Sequence, residues 1–141
     1  MKTSADGLKL IEGFEGCVLH SYYDIGKRLT IGIGHLMILH ESYPNGITLK
    51  QAYDILSKDV SFVENAINNW MEKDKITLTQ NQFDALVDFG FNLGVGALNE
   101  LVAHGKTEIP QHMPLYDHAG GKVNAAILKR REAEVSLWNK G

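Results

Sequence analysis

Glu15, Asp24 and Thr30 are the residues through which this 141-residue chain could do chemistry. Glu15 falls at the end of a first helical segment, Asp24 at a turn, and Thr30 in a following strand-forming stretch. Two carboxylates on different elements, flanked by Tyr22, Tyr23 and several glycines, can face a common cleft. Breaking a glycosidic bond needs such a pair: one acid protonates the leaving oxygen, and the other stabilises or activates the attacking side. On spacing alone a plainer reading stands beside it, with Glu15 a solvated helix-end acid and Asp24 a turn former. Other chemistries have less to stand on. The histidines show no metal-ligand spacing such as HExxH, so no metal site and no cofactor is expected. Gly32-Ile33-Gly34 opens like a dinucleotide motif but lacks the third glycine and the following helix. Those glycines are expected to permit close approach of the backbone to sugar or sheet.

The elements that must position these residues can be read from periodicity and end signals. Ser4 is a good N-cap for a helix running to about Gly16, with Leu8, Ile11 and Phe14 on its apolar face. Val18–Tyr23 and Leu29–Gly34 are rich in strand formers and flank a hairpin loop, Asp24–Arg28, in which Gly26 is expected to supply the turn. A third short strand is expected around Leu36–Ile38, before the break at Pro44-Asn45-Gly46. Thr48 and Gln51 have capping-box spacing, and apolar residues from Ala52 to Trp70 recur at three- and four-residue steps, which predicts one long helix. A second box, Thr79 to Gln82, opens a helix that Gly90 and Gly94-Val95-Gly96 are expected to interrupt. A shorter helix covers about 96–104, residues 105–121 read as mostly irregular, and a last helix runs over about 123–139. Trp70 and Trp138 have core spacing on their helices.

The result is an α+β chain: one domain, 1–141, with a sheet-containing lobe at about 17–47. A long helix joins it to a mainly helical lobe made of about 71–141 and the N-terminal helix. Composition agrees with a folded domain, at 44% hydrophobic and 22% charged with a net charge of −3. The pI near 6.0 argues against nucleic acid as a partner. No run of about 18 apolar residues suggests a spanning helix, and the N-terminal residues do not read as a signal peptide. No membrane insertion is therefore expected. Cys17 is the only cysteine, so no internal disulfide can form and a free thiol is expected.

Glu15-x8-Asp24-x5-Thr30, followed directly by Ile31-Gly32-Ile33-Gly34-His35-Leu36, resembles the active-site signature of the T4-type phage lysozymes, the bacteriophage muramidase family of endolysins. Further blocks are similar to the lambdoid-phage branch: Ser4–Gly16, Thr79–Leu86 with Phe91–Gly96, and Gly120–Val123 with Arg130–Glu134. The ordered blocks cover most of the chain.

The resemblance implies a lysozyme-like fold and a peptidoglycan substrate, cut at the β-1,4 bond between N-acetylmuramic acid and N-acetylglucosamine. Glu15 would be the general acid, Asp24 an ionised stabiliser of oxocarbenium-like charge that also helps to place a water, and Thr30 the holder of that water. Such a water implies inversion, with the carboxyls roughly 6.5–9.5 Å apart. His35 would lie near the cleft, although an imidazole there can equally tie the sheet to a neighbouring acid. Of Tyr22 and Tyr23, one is expected to face inward and the other towards solvent or sugar. Asn92, just past the central helix, would bind an N-acetyl or carbonyl group. One arginine of the last helix would pair with Glu15, and the reading leans to Arg131 over Arg130. The protein would be a monomer made in the host bacterial cytoplasm, reaching the wall through a holin-type pore.

The chain departs from the branch in two places. The segment between Gly96 and Gly120 is shorter, by about two turns at roughly 3.6 residues each, and carries Pro110 and Pro114. Ala125 and Ala126 stand where a proline and a glycine are usual, so the last helix is expected to start earlier. Two other readings compete: a non-catalytic wall-binding or structural module with this fold, and an antibacterial effector or tail lysozyme with the same chemistry.

Overall fold

The computed structural model describes all residues from Met1 to Gly141. They fall into two compact units, Leu8–Ser61 and Met1–Gly7 with Phe62–Gly141. This division places most of the first helix with the sheet.

In the unit Leu8–Ser61, helix α1 (Ala5–Glu15) is followed by strands β1 (Val18–Tyr23), β2 (Leu29–Gly32) and β3 (His35–Leu36), then helix α2 (Leu49–Asp59). Ser4 caps α1 as expected, its Oγ accepting from the Gly7 N–H at 3.0 Å. The strands form an antiparallel sheet in the order β1-β2-β3. Tyr22 pairs with Thr30 and Tyr23 with Leu29, and the register shifts between Val18 and Tyr22, which marks a bulge in β1. The hairpin turn differs from expectation. The left-handed residue is Lys27 (φ 58), and Gly26 has an ordinary φ. The turn is closed by the Lys27 N–H on the Asp24 carbonyl at 2.8 Å and the Asp24 N–H on that of Arg28 at 2.9 Å.

Helix α2 begins with the predicted capping box, Thr48 and Gln51 bonding each other's backbone N–H at 3.1 and 2.8 Å. Ala52 and Leu56 are buried, and α2 packs on β2 and β3. Ile11, Ile31, Ile33, Ile47 and Val60 complete the unit's buried apolar set. Tyr53 of α2 hydrogen-bonds Glu12 of α1, and that bond, with burial, pushes the phenol up to about 12.

The single long helix predicted from Thr48 to Trp70 is two. Helix α3 (Ser61–Lys73) starts after Val60, which caps α2. Apolar spacing continues through Val60, so periodicity does not show the break. At the break the Ser61 hydroxyl donates to the Lys58 carbonyl at 2.6 Å.

The second unit contains α3, α4 (Gln80–Val102), α5 (Ile109–His112) and α6 (Ala125–Asn139), with a small hairpin of β4 (His118–Ala119) and β5 (Lys122–Val123). Thr79 and Gln82 form the second predicted box. Only one of the two expected interruptions of α4 is real. Gly94 has φ 91 and ψ 164, a conformation open to glycine, and breaks the helix there. Gly90 stays helical, and a Cβ built on it would lie 2.6 Å from Val63, so it permits close packing of α4 on α3. Residues 105–121, expected to be mostly irregular, form two 3-10 turns around α5 and then β4. Helix α6 starts at Ala125 under an Asn124 cap.

By length and composition α4 could cross a membrane, which the apolar-run count did not anticipate. Half of its most apolar window is buried inside the protein. Phe83, Leu86, Val87, Phe89, Leu98 and Leu101 form the core of this unit with Val63, Ile67, Ile109 and Met113. Trp70 and Trp138 are buried, as their spacing predicted.

Candidate active site

Glu15, Asp24 and Thr30 all lie in the unit Leu8–Ser61. Glu15 is the last residue of α1 and is half-buried. Gly34, in the turn from β2 to β3 with φ 64, lies against its carboxyl group. A Cβ on Gly34 would sit 2.8 Å from Glu15 Oε1. The close approach of backbone at this glycine is made to the Glu15 side chain, where sugar or sheet was expected.

Asp24 stands at the other end of β2, where the hairpin turns. Its Oδ1 accepts from the Arg28 N–H at 2.8 Å, and its Oδ2 from Arg28 Nε at 3.1 Å, with Nη2 at 3.0 Å. The backbone bond from Arg28, then the guanidinium, hold the carboxyl below the usual aspartate range. The charge-stabilising role read for Asp24 requires an ionised group. Thr30 is buried on β2, and its hydroxyl donates to the Arg28 carbonyl at 2.9 Å. Tyr22, opposite Thr30, is half-buried, whereas Tyr23 is 72% exposed.

His35 ties the sheet to acids, the structural alternative raised above. Its Nδ1 lies 2.6 Å from Asp59 at the end of α2, and its Nε2 lies 2.9 Å from Glu41. Glu41 also accepts from the Ile38 N–H and the Tyr43 hydroxyl, each at 3.1 Å. Burial pushes the imidazole down, but the bonds to Asp59 and Glu41 outweigh it and raise it overall. The two acids respond differently. Burial carries Asp59 up despite His35, whereas at Glu41 the N–H of Ile38 and the imidazole overcome burial and lower it. Neither acid was singled out in the sequence. A helix-end aspartate and a loop glutamate carry no local signal of a partner on another element.

The other named residues lie in the second unit. Arg131 is fully buried, and its Nη2 donates to Glu134 at 2.6 Å and to Asn92 Oδ1 at 2.9 Å. Its Nε and Nη1 have no hydrogen-bond partner. The guanidinium also sits over the Phe89 ring, 5.0 Å from its centroid. Arg130 grips the buried Asp88 through Nε at 3.0 Å and Nη2 at 2.8 Å. Burial, with Asp88 nearby, raises the Glu134 carboxyl against the pull of Arg131. Asn92 lies inside α4, two residues before the Gly94 break rather than past the helix, and its carbonyl oxygen faces Arg131. Asp88 was legible in hindsight as an acid on an apolar helix face (FDALVDF).

Cys17 is a half-buried free thiol that burial and Glu12 push up. No group of three or more His, Cys, Asp and Glu side chains is arranged to hold a metal ion.

Comparison with known proteins identifies the family. Residues 12–134 match the family model described as phage lysozyme. The chain is 38% identical over 149 residues to an endolysin of Bacillus phage PZA, an alignment covering all of this chain and 56% of the relative. The chain thus spans little more than half the length of that protein. Among solved structures, the muramidase domain of SpmX from Asticaccaulis excentricus is 33% identical with a TM-score of 0.80, covering 97% of each chain. A P22 lysozyme mutant is 27% identical with a TM-score of 0.83, covering 99% of each. With most of this chain, residues 12–134, matching the family model, and the Glu15, Asp24 and Thr30 block inside the match, the chain belongs to the phage lysozyme family.

Proposed function

We infer that this chain is a peptidoglycan hydrolase of the N-acetylmuramidase kind, causing bacterial lysis. Its bond is the β-1,4 linkage between N-acetylmuramic acid and N-acetylglucosamine. Glu15 delivers a proton to the leaving oxygen as general acid. Asp24, kept ionised by Arg28, stabilises the positive charge that develops at the sugar. Thr30 holds the water that attacks the opposite face and passes its proton to Asp24, which inverts the anomeric centre. Family membership supports the substrate. The observation that carries the mechanism is the environment of Asp24, a carboxylate fixed by three contacts to Arg28 at the end of the strand that bears Thr30.

The test is clearing of purified cell walls. Glu15→Gln, with an unchanged melting curve, is expected to remove turbidity clearing. Undiminished clearing would overturn the assignment of Glu15, and no clearing by the unsubstituted protein would favour a non-catalytic wall-binding module. NMR of the fresh product should show the α anomer; a β product would mean retention.

A further inference from the structure

Arg28 touches both groups read for the attacking side of the reaction. Its backbone makes three contacts. The N–H donates to Asp24 Oδ1 at 2.8 Å, and the carbonyl accepts from the Asp24 N–H and the Thr30 hydroxyl, each at 2.9 Å. Any residue with this backbone could make those. The side chain adds two more, with Nε at 3.1 Å and Nη2 at 3.0 Å from Asp24 Oδ2. These need an arginine, whose planar edge presents two donors at fixed spacing. A lysine offers a compact point charge on a flexible stem.

Gly26 leaves room for this contact. Its φ is ordinary, so the backbone does not call for glycine there. A Cβ on it would lie 3.3 Å from both Arg28 Nε and Asp24 Oδ1, closer than the 3.4 Å at which ordinary contact begins. A side chain at position 26 therefore presses on both partners at once. Stability does not account for the arrangement. The Arg28 side chain is 64% exposed, and an exposed ion pair adds little to a fold.

We propose that the Arg28 side chain is a further positioning residue of the reaction, clamping Asp24 over the bare Gly26 where its carboxylate can take the proton of the attacking water. This rests on the hydrolase reading, and adds the demand that residue 28 be arginine and residue 26 carry no side chain. The clamp also sets one edge of the working pH range. Asp24 takes a proton only while ionised, and the acid limb of kcat/KM reports that ionisation. The Arg28 N–H first, then its guanidinium and the Gly26 N–H, favour the ionised form against desolvation. The charge that faces the carboxylate is the guanidinium, so removing it moves the limb to higher pH.

Rates on soluble cell-wall glycan across pH test it, beside melting curves and NMR titration of the Asp24 carboxyl. Arg28→Gln should lose about tenfold in kcat, the effect of a misplacement of about half an ångström. Its acid limb and its Asp24 titration should both lie at higher pH. Arg28→Lys keeps a charge without the planar edge. Its acid limb should stay closer to that of the unsubstituted protein, while kcat remains about as low as in Arg28→Gln. Gly26→Ala should lose about twofold in kcat, because the methyl shifts both partners slightly. All variants should melt with the unsubstituted protein. Full rate with an unmoved acid limb in Arg28→Gln overturns the proposal. So does full rescue by lysine, or a rate loss matched by a lowered melting curve. Gly26→Ala at full rate overturns the part given to Gly26. An unsubstituted protein that cuts no glycan at any pH refutes the hydrolase reading, and the proposal with it.

Discussion

Gly34→Ala should separate stability from activity in this protein. Two effects act at this position. The left-handed backbone costs a side chain about 1–2 kcal/mol, which for a chain of this length lowers the melting temperature by about 3–6 °C. The new methyl also meets Glu15 Oε1 at 2.8 Å, where ordinary contact begins at 3.4 Å. The carboxyl must therefore retreat by about 0.6 Å; since a 1 Å misplacement can cost about a hundredfold in rate, a loss on the order of ten- to a hundredfold is expected. The retreat itself adds little to the stability loss, because the displaced atom is the end of a flexible side chain. Gly16→Ala is the control. Gly16 also has a positive φ (75), but a methyl there meets nothing within 4 Å. Both variants should lose similar melting temperature, and only Gly34→Ala should lose wall-clearing rate to the larger extent. Equal clearing rates in the two variants would refute the reasoning, and with it the idea that the position of the Glu15 carboxyl limits the reaction.

The His35 cluster sets a pH dependence. Its imidazole is raised in the folded state, so its stabilisation is fully present below the unfolded value of about 6.5 and is lost as pH rises through the folded value. The difference in urea midpoint between the unsubstituted protein and His35→Gln should therefore shrink as pH rises above the unfolded value of about 6.5; a constant difference would count against it. The buried pair in α6 should behave as a unit. Arg131→Leu alone should cost about 1–3 kcal/mol in urea unfolding, because the buried Glu134 and Asn92 oxygens lose their donor, whereas adding Glu134→Leu should restore part of it. A double variant as unstable as the sum of the two singles would contradict this. Thr48→Ala should cost about 1 kcal/mol through the lost cap of α2, readable as a small shift in urea midpoint.

What could be read in advance and what could not follow the range of the interactions. The capping boxes at Thr48 and Thr79 lie within four residues of chain, so sequence spacing contains them whole. The same holds for the α1 cap at Ser4 and for the hairpin that presents Asp24. Apolar periodicity located helical chain from Ala52 to Trp70 but passed over Val60, because the break leaves the apolar spacing intact. Gly90 and Gly94 look alike in sequence, and only the neighbour Val63 distinguishes a packing glycine from a breaking one. Arg131 could be placed on α6 but not given a partner. Its choice of Glu134 and Asn92 depends on helix phase and on α4, which no local pattern encodes. The ends of the His35 cluster were hidden for the same reason.

The Thr30 hydroxyl has a direction. Its single proton is committed to the Arg28 carbonyl, so towards any visitor the oxygen can offer only lone pairs. In the proposed reaction a water beside it must therefore point an O–H at Thr30, which turns one of its own lone pairs elsewhere. The hairpin thus supplies a polarity as well as a place. The turn bonds that shape Asp24 and Arg28 at the strand's end also decide which way round the nucleophile is held.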